Sequence, residues 1–314
     1  MLRFIPTPLG NLKDITLRSL EHLATAQVVL CEDTRVAKSL LKNLFERFER
    51  DSSLLCEIFC GTPDSSDSPT TLNPNSKRFI SLHSHNQKDF ISTLTPDFFT
   101  KEVAYISDAG MPSICDPGAL LIQYMQEHNL CYDVLVGGCA LSVAFCFSGF
   151  AFQGFVFGGF LPHKPKERVH KLQECANATM PIIWYESPHR ILDTLNDIAR
   201  ILPATRVFAI KEISKIYQRH FLGSADEILS MLSKKATKQK STKNYDDKIL
   251  QGEWVVILEP SQNPSEYLKL SQNDIIALEI PPKIKAKMLS SLTGKDTKEI
   301  YSNLIKKQNL KNKI

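Results

Sequence analysis

No two cysteines of this sequence stand at C-x-x-C spacing, although eight are present. Zinc sites draw paired ligands at short spacing, so the chain is expected to hold no metal. The dinucleotide fingerprint G-x-G-x-x-G is missing, and so is the phosphate-cradling G-x-x-x-x-G-K-[ST] loop. Rossmann dinucleotide and ATP readings therefore lose support. The opening run, Met1 to Pro6, meets proline too early to read as a signal peptide. Most cysteines lie in apolar runs. Free thiols without an export signal point to a reducing cytoplasm. Compositional extremes are also lacking, with 43% hydrophobic and 23% charged residues. That excludes a disordered chain, a collagen, a coiled coil and a minimal disulfide scaffold.

What is present is a chain of 314 residues, enough for two domains at about 150 residues each. Net charge is only +4, but it is unevenly spread. Residues 233–248 carry +4 and residues 263–314 carry +5, leaving −5 for the rest. Basic charge gathered in a loop-like segment and a tail suits a polyanion partner. The competing reading is a solvated lysine-rich surface.

One stretch, residues 134–161, has 28 residues and no charge. Length alone would allow a membrane span. Six glycines break it around residues 140–148 and 155–160, so it reads as loop, buried helix, loop, buried strand.

Elsewhere short apolar runs alternate with helical patterns. Strands are expected at residues 2–5, 28–31, 79–82, 103–106 and 132–136, with helices between them. This is the pattern of a parallel α/β sheet. The second half repeats the alternation, with strands expected at 155–160, 182–185, 206–210, 216–221 and 254–258. Ser187 and Pro188 read as cap and first residue of a helix. Residues 61–75 read as a mobile loop and 233–248 as disordered. Tail helices are expected near 273–279, 283–292 and 297–306.

Ligands of open α/β sheets bind beyond the carboxyl ends of strands. Three loops there combine glycine and proline or paired glycines: 7–11 (TPLGN), 107–118 (SDAGMPSICDPG) and 137–141 (GGCAL). Glycine permits close backbone approach, so together they suit a flat, nucleotide-like ligand. Ordinary turns are the competing reading for each alone. Polar clusters stand at further strand ends: Glu32-Asp33-Thr34-Arg35, His83-Ser84-His85-Asn86, Glu186-Ser187-Pro188-His189-Arg190 and Lys211-Glu212. Capping or a surface ion pair competes for each residue. Four clusters at one kind of position favour a cleft.

The ordered set IPTPLGN, CEDTR, HSHN, SDAGMPSICDPG, SGF, FGGFLP, YESPHR and GEWV resembles the small-subunit methyltransferase I family of rRNA ribose methyltransferases. That family lies within the tetrapyrrole-methylase superfamily. The resemblance runs from about residue 2 to 260 and extends to the helical tail. It departs at residues 135–141, LVGGCAL, where the family usually reads L-P-G-P-S-A-L, and at 211–215, KEISK, where it reads R-E-L-T-K.

The resemblance implies two α/β domains with S-adenosylmethionine in the cleft between them. Expected bounds are 1–137, 138–262 and a basic helical tail at 263–314. It implies donor contacts at Leu9, Gly110, Met111, Ile114, Ala140 and Leu141. The implied reaction is methylation of a cytidine ribose 2′-oxygen in the decoding region of 16S rRNA, naked or in the small subunit. Candidate bases or orienting groups are Asp33, His85, Glu186 and His189. Arg35, Arg190 and Lys211 are candidates for RNA phosphates. A homodimer is also implied, and no membrane. Two other readings stay open: a non-catalytic RNA-binding relative, and a methylase of this fold acting on a small molecule.

Overall fold

The computed structural model describes residues 1–49, 73–238, 249–260 and 272–311. Residues 1–262 form one compact unit and residues 263–314 another. Most of the expected polar loop at 61–75, residues 239–248 of the segment 233–248 expected to be disordered, Cys56 and Cys60 lie outside the described residues, while residues 233–238 are not disordered but continue a helix over Ala225–Lys238.

Five parallel strands open the larger unit: β1 (Leu2–Phe4), β2 (Val28–Cys31), β3 (Arg78–Ser81), β4 (Val103–Ile106) and β5 (Tyr132–Val134), in the order β3-β2-β4-β1-β5. Helices α1 (Leu17–Thr25), α2 (Thr34–Glu49), α3 (Gln87–Ser92) and α4 (Ala119–Glu127) alternate with them. β2 and β4 are buried along their whole length, as parallel strands covered on both faces must be. Side chains alternate along each strand. Val29, Cys31, Ala104 and Ile106 pack with Leu20, Leu23, Leu41 and Leu44 of α1 and α2. Leu30 and Tyr105 pack on the other face with Leu121 and Met125 of α4. Thr16 starts α1 by accepting the Ser19 N–H in its side chain, the usual N-cap device.

The second sheet has the order β6-β7-β10-β8-β9, with β6 (Val156–Phe160), β7 (Ile182–Glu186), β8 (Arg206–Lys211), β9 (Arg219–Ser224) and β10 (Trp254–Leu258). Helices α5 (Ala140–Ser148), α6 (Pro165–Cys175), α7 (Ile191–Ile201) and α8 (Ala225–Lys238) accompany it. The uncharged stretch resolves into α5 and β6, as its glycines imply. Among the described residues no helix is long and apolar enough to cross a membrane.

This sheet is mixed: β6 runs parallel to β7, while β10 is antiparallel to β7 and β8, and β9 to β8. Only seven residues link β8 to β9, too few for the crossover a parallel pair needs. β9 therefore starts at Arg219, later than the apolar run suggests, and Ile216 is 95% exposed in the link. Glu212 and Ser214 take left-handed φ values of 53° and 65° there. The helix after β7 also starts late. Ser187 O accepts the Arg190 and Ile191 N–H groups, Arg190 is the N-cap, and α7 begins at Ile191. Ser187 and Pro188 form the preceding turn rather than the cap.

In the smaller unit, α9 (Gln272–Ala277), α10 (Pro282–Thr293) and α11 (Thr297–Lys311) bury Ile275, Ala286 and Leu289. Gly294, left-handed at φ 67°, ends α10.

Candidate functional site

Parallel strands place their following loops along one edge. In the first sheet these are the loops after β1, β2, β3, β4 and β5. In the second sheet β7 and β8 end at Glu186 and Lys211, both paired with Trp254 at the start of antiparallel β10. The carboxyl ends of β7 and β8 and the Gly252-Glu253 turn thus share one edge.

The three glycine-bearing loops meet. Thr7 and Gly110 exchange backbone hydrogen bonds of 3.0 and 3.1 Å. Gly110 is left-handed at φ 79°, and a Cβ there would lie 2.8 Å from Leu9 Cδ2 and 3.4 Å from Gly138 O. Leu9 in turn covers Gly138. Glycine is favoured because the left-handed backbone strains any L side chain, and a Cβ would in addition push the end of the Leu9 side chain aside. Beside this junction lies a cavity of about 330 Å³, lined by Leu9, Gly138, Val143, Phe147, Ile213 and Gln218 among others. Asp14 closes one side by accepting the Ser214 hydroxyl hydrogen. The walls are mainly apolar with a few polar groups, the make-up of a site for a flat organic ligand.

A group of carboxylates stands at the same edge. Burial is the main cause that pushes Glu32 up to about 7, with Asp116 and Asp108 adding repulsion. Asp116 is pushed up to about 6, first by burial and then by Asp108 and Glu253, against the lowering effect of a Ser107 hydrogen bond. Asp108 is raised by burial, then by Asp33 and Glu253. Asp14 and Gly10, on the loop after β1, touch Ser214 and Lys215, on the loop after β8, so the two edges face one another. The charged neighbours that raise these carboxyls are all acids, so a cationic ligand would relieve this repulsion. No group of three or more His, Cys, Asp or Glu among the described residues is arranged to hold a metal ion.

The residues singled out from sequence divide sharply. Leu9, Gly110, Ala140 and Leu141 lie on the converging loops, Leu141 buried at the start of α5. Met111 is half-buried beside Gly110, and Ile114 is exposed. Asp33 caps the start of α2, accepting the Arg35 N–H at 2.8 Å and the Arg35 guanidinium at 2.8 and 3.2 Å. That bonding holds its carboxyl down at about 2, a poor value for a base. Arg35 itself remains 90% exposed. His85 and His189 are exposed, and the His85 ring lies edge-on to His83 at 6.0 Å.

Three expectations are corrected. Glu186 is not an open base. Its side chain is fully buried, and its oxygens accept the Ser187 N–H, the Thr194 hydroxyl and the Arg190 guanidinium at 2.6–2.7 Å. Arg190 is not free for phosphate, because it also donates to Leu161 O at 3.0 Å. Lys211 is 1% exposed and donates to Ile249 O at 2.9 Å and to Gln251 O. In each case a polar side chain at a strand end turns inward, where burial demands partners. Sequence reasoning passed over Val143, Phe147 and Ile213, and it gave no role to Glu32, Asp108, Asp116 and Glu253, although each stands in a cluster, loop or motif that it picked out. Glu32 directly follows β2 and Asp108 follows Ser107 after β4, so the strand-end signal points to them, whereas Asp116 and Glu253 come to the site through the loop after β4 and the turn before β10. The apolar wall carries no such signal.

The profile of the tetrapyrrole (corrin/porphyrin) methylases matches residues 1–229. A protein of Helicobacter pylori strain J99 named ribosomal RNA small subunit methyltransferase I is 42% identical over 307 residues, covering 96% of each chain. The chain belongs to this family. A relative of the same name from Campylobacter fetus is 38% identical, covering 97% of this chain and all of its own. Among solved structures, cobalt precorrin-4 methyltransferase, a cobalamin biosynthetic enzyme, superposes with a TM-score of 0.50 at 13% identity, covering 82% of this chain and 94% of its own. At that identity the likeness concerns the fold alone.

Proposed function

We propose that the chain transfers a methyl group from S-adenosylmethionine to the ribose 2′-oxygen of a cytidine in the decoding region of 16S rRNA. The observation that carries this reading is 42% identity, over nearly the whole of both chains, to a protein named ribosomal RNA small subunit methyltransferase I. The geometry fits the donor. The left-handed backbone at Gly110 brings Leu9 and Gly138 close about it, and the adjoining cavity offers an apolar slot with a polar rim. When bound, the donor supplies an activated methyl on a cationic sulfur.

The chain's own residues then bind and orient. Leu9, Gly110, Ala140 and Leu141 line the donor side, with Met111 and Ile114 at its margin. Alignment of donor and acceptor can supply about 7–11 kcal/mol of the barrier reduction. Arg35, exposed at the start of α2, and the lysines of the tail attract the RNA backbone and make binding salt-sensitive. His85 and His189 remain open to acceptor contact. We read the chain as segments 1–137, 138–262 and 263–314, acting in the cytoplasm as a homodimer. Exposed Val156 and Phe160 on edge strand β6 support a self-association surface.

The test is transfer of tritiated methyl from S-adenosylmethionine to small ribosomal subunits lacking the modification, followed by mapping of the labelled nucleotide. Label on a decoding-region ribose is the expected result. No label despite donor binding would point to a different acceptor, and no donor binding would favour a non-catalytic RNA-binding protein.

A further inference from the structure

Lys215 stands where loops of the two sheets meet. Its stem covers Gly10, where a Cβ would run into Lys215 Cγ and come within 2.9 Å of Ile213 O. Its ammonium donates to Glu212 Oε1 at 2.9 Å and reaches Glu253 Oε2 at 3.4 Å. Glu212 is itself fixed twice. Its N–H donates to Glu253 O at 3.0 Å, and its Oε1 accepts the Glu253 N–H at 3.1 Å. The left-handed backbone at Glu212 and Ser214 is held against its steric cost, and such strain gathers at functional positions.

The two carboxylates are not equivalent. The bond to Glu212 is short and half-buried, whereas the one to Glu253 is at the long limit. The Glu253 side chain is 78% exposed. Its carboxylate can take another partner while Lys215 stays anchored on Glu212.

A phosphate is a poor occupant of this spot, because two carboxylates flank the single ammonium. A neutral hydroxyl is a good one. It needs one acceptor and one donor, and a carboxylate and an ammonium side by side offer both. Resting on the methyl-transfer reading, we propose that Glu253 and Lys215 hold the acceptor ribose, Glu253 accepting the 2′-hydroxyl hydrogen and Lys215 donating to the same oxygen. In the transfer, the O–H bond breaks and its proton passes to the Glu253 carboxylate. An oxygen lone pair forms the new O–CH₃ bond. The electron pair of the breaking C–S bond returns to sulfur, which becomes neutral. Lys215 keeps its proton throughout and stabilises the charge growing on oxygen.

The experiment uses the full chain, S-adenosylmethionine and small ribosomal subunits lacking the mark. Glu253→Gln is expected to lower kcat by about 100-fold, the lower range for loss of a general base. The calorimetric Kd for S-adenosylmethionine is expected to stay within twofold. Lys215→Met keeps the stem over Gly10 and is expected to lower kcat about tenfold at unchanged donor Kd, with Lys215→Arg recovering part of the loss. Near-normal kcat in both Glu253→Gln and Lys215→Met overturns the proposal, and so does a parallel loss of donor binding. Absence of label with the unaltered protein overturns the methyl-transfer reading and this proposal with it.

Discussion

Glu186 and Arg190 form a buried ion pair, with Arg190 Nη2 2.6 Å from Glu186 Oε1 and neither group open to the cleft. The pair closes the turn between β7 and α7. Thr194 Oγ1 holds the second carboxylate oxygen at 2.7 Å, and Leu161 O takes a further guanidinium hydrogen. The YESPHR motif is thus in good part a structural brace for the site edge.

Glu186→Gln should therefore act on stability. Breaking one member of a buried pair leaves the other charge uncompensated, at a cost of about 3–5 kcal/mol. Urea unfolding should show a lower midpoint at unchanged slope. Donor affinity, measured on the folded fraction, should stay close to that of the unaltered chain.

The carboxylate group predicts a pH dependence. Burial raises Glu32 from 4.5 to about 7 and Asp116 from 3.8 to about 6. The folded state therefore keeps protons that the unfolded chain has already released across that window. Their stabilising contribution is complete below the unfolded values and is lost as pH rises through about 6 to 7. Denaturant midpoints followed against pH should show this descent, and Glu32→Gln should flatten it. Ionisation over the same interval should strengthen binding of cationic S-adenosylmethionine more than that of uncharged-sulfur S-adenosylhomocysteine, as calorimetry at two pH values would reveal.

Gly110→Ala should weaken donor binding and the fold together. The new methyl would meet Leu9 at 2.8 Å from a left-handed backbone. That conformation costs an L-residue about 1–2 kcal/mol. Thermal melting and donor titration of the same variant check both effects.

Lys211 and Arg35 should separate by salt dependence. Lys211→Met removes a buried ammonium from the Ile249 and Gln251 carbonyls and should lower stability. It should leave the salt slope of RNA binding unchanged. Arg35→Ala touches an exposed cation, and if that cation meets a phosphate, the slope of log K against log salt should shrink by roughly 0.7–0.9. Filter binding across a salt series distinguishes the two.

Much of the fold was legible because it follows local pattern. The apolar tetrapeptides at 28–31 and 103–106 read as buried parallel strands, and they are β2 and β4. The glycines at 137–138, 149 and 158–159 divided an uncharged run into loop, helix and strand. β9 was misplaced because Ile216 and Tyr217 look like strand residues. The two left-handed residues before them turn the chain outward, and single-residue backbone geometry leaves no hydrophobic trace.

By itself the sequence determined the alternation of strands and helices, the order of the motif loops and the glycines that let Leu9, Gly110 and Gly138 meet. These depend on periodicity and on the absence of a Cβ, which are properties of residues and their near neighbours. Only the tertiary structure decided which charges serve the cleft. Lys211 and Lys215 are four residues apart, yet one is sealed beneath backbone carbonyls and the other stands between Glu212 and Glu253. Glu253 reaches Glu212 and Lys215 from far along the chain because β10 runs antiparallel between β7 and β8 and so begins at their carboxyl ends. The partners and burial of a charge are set by strand direction and packing across the sheets, which residue spacing does not encode.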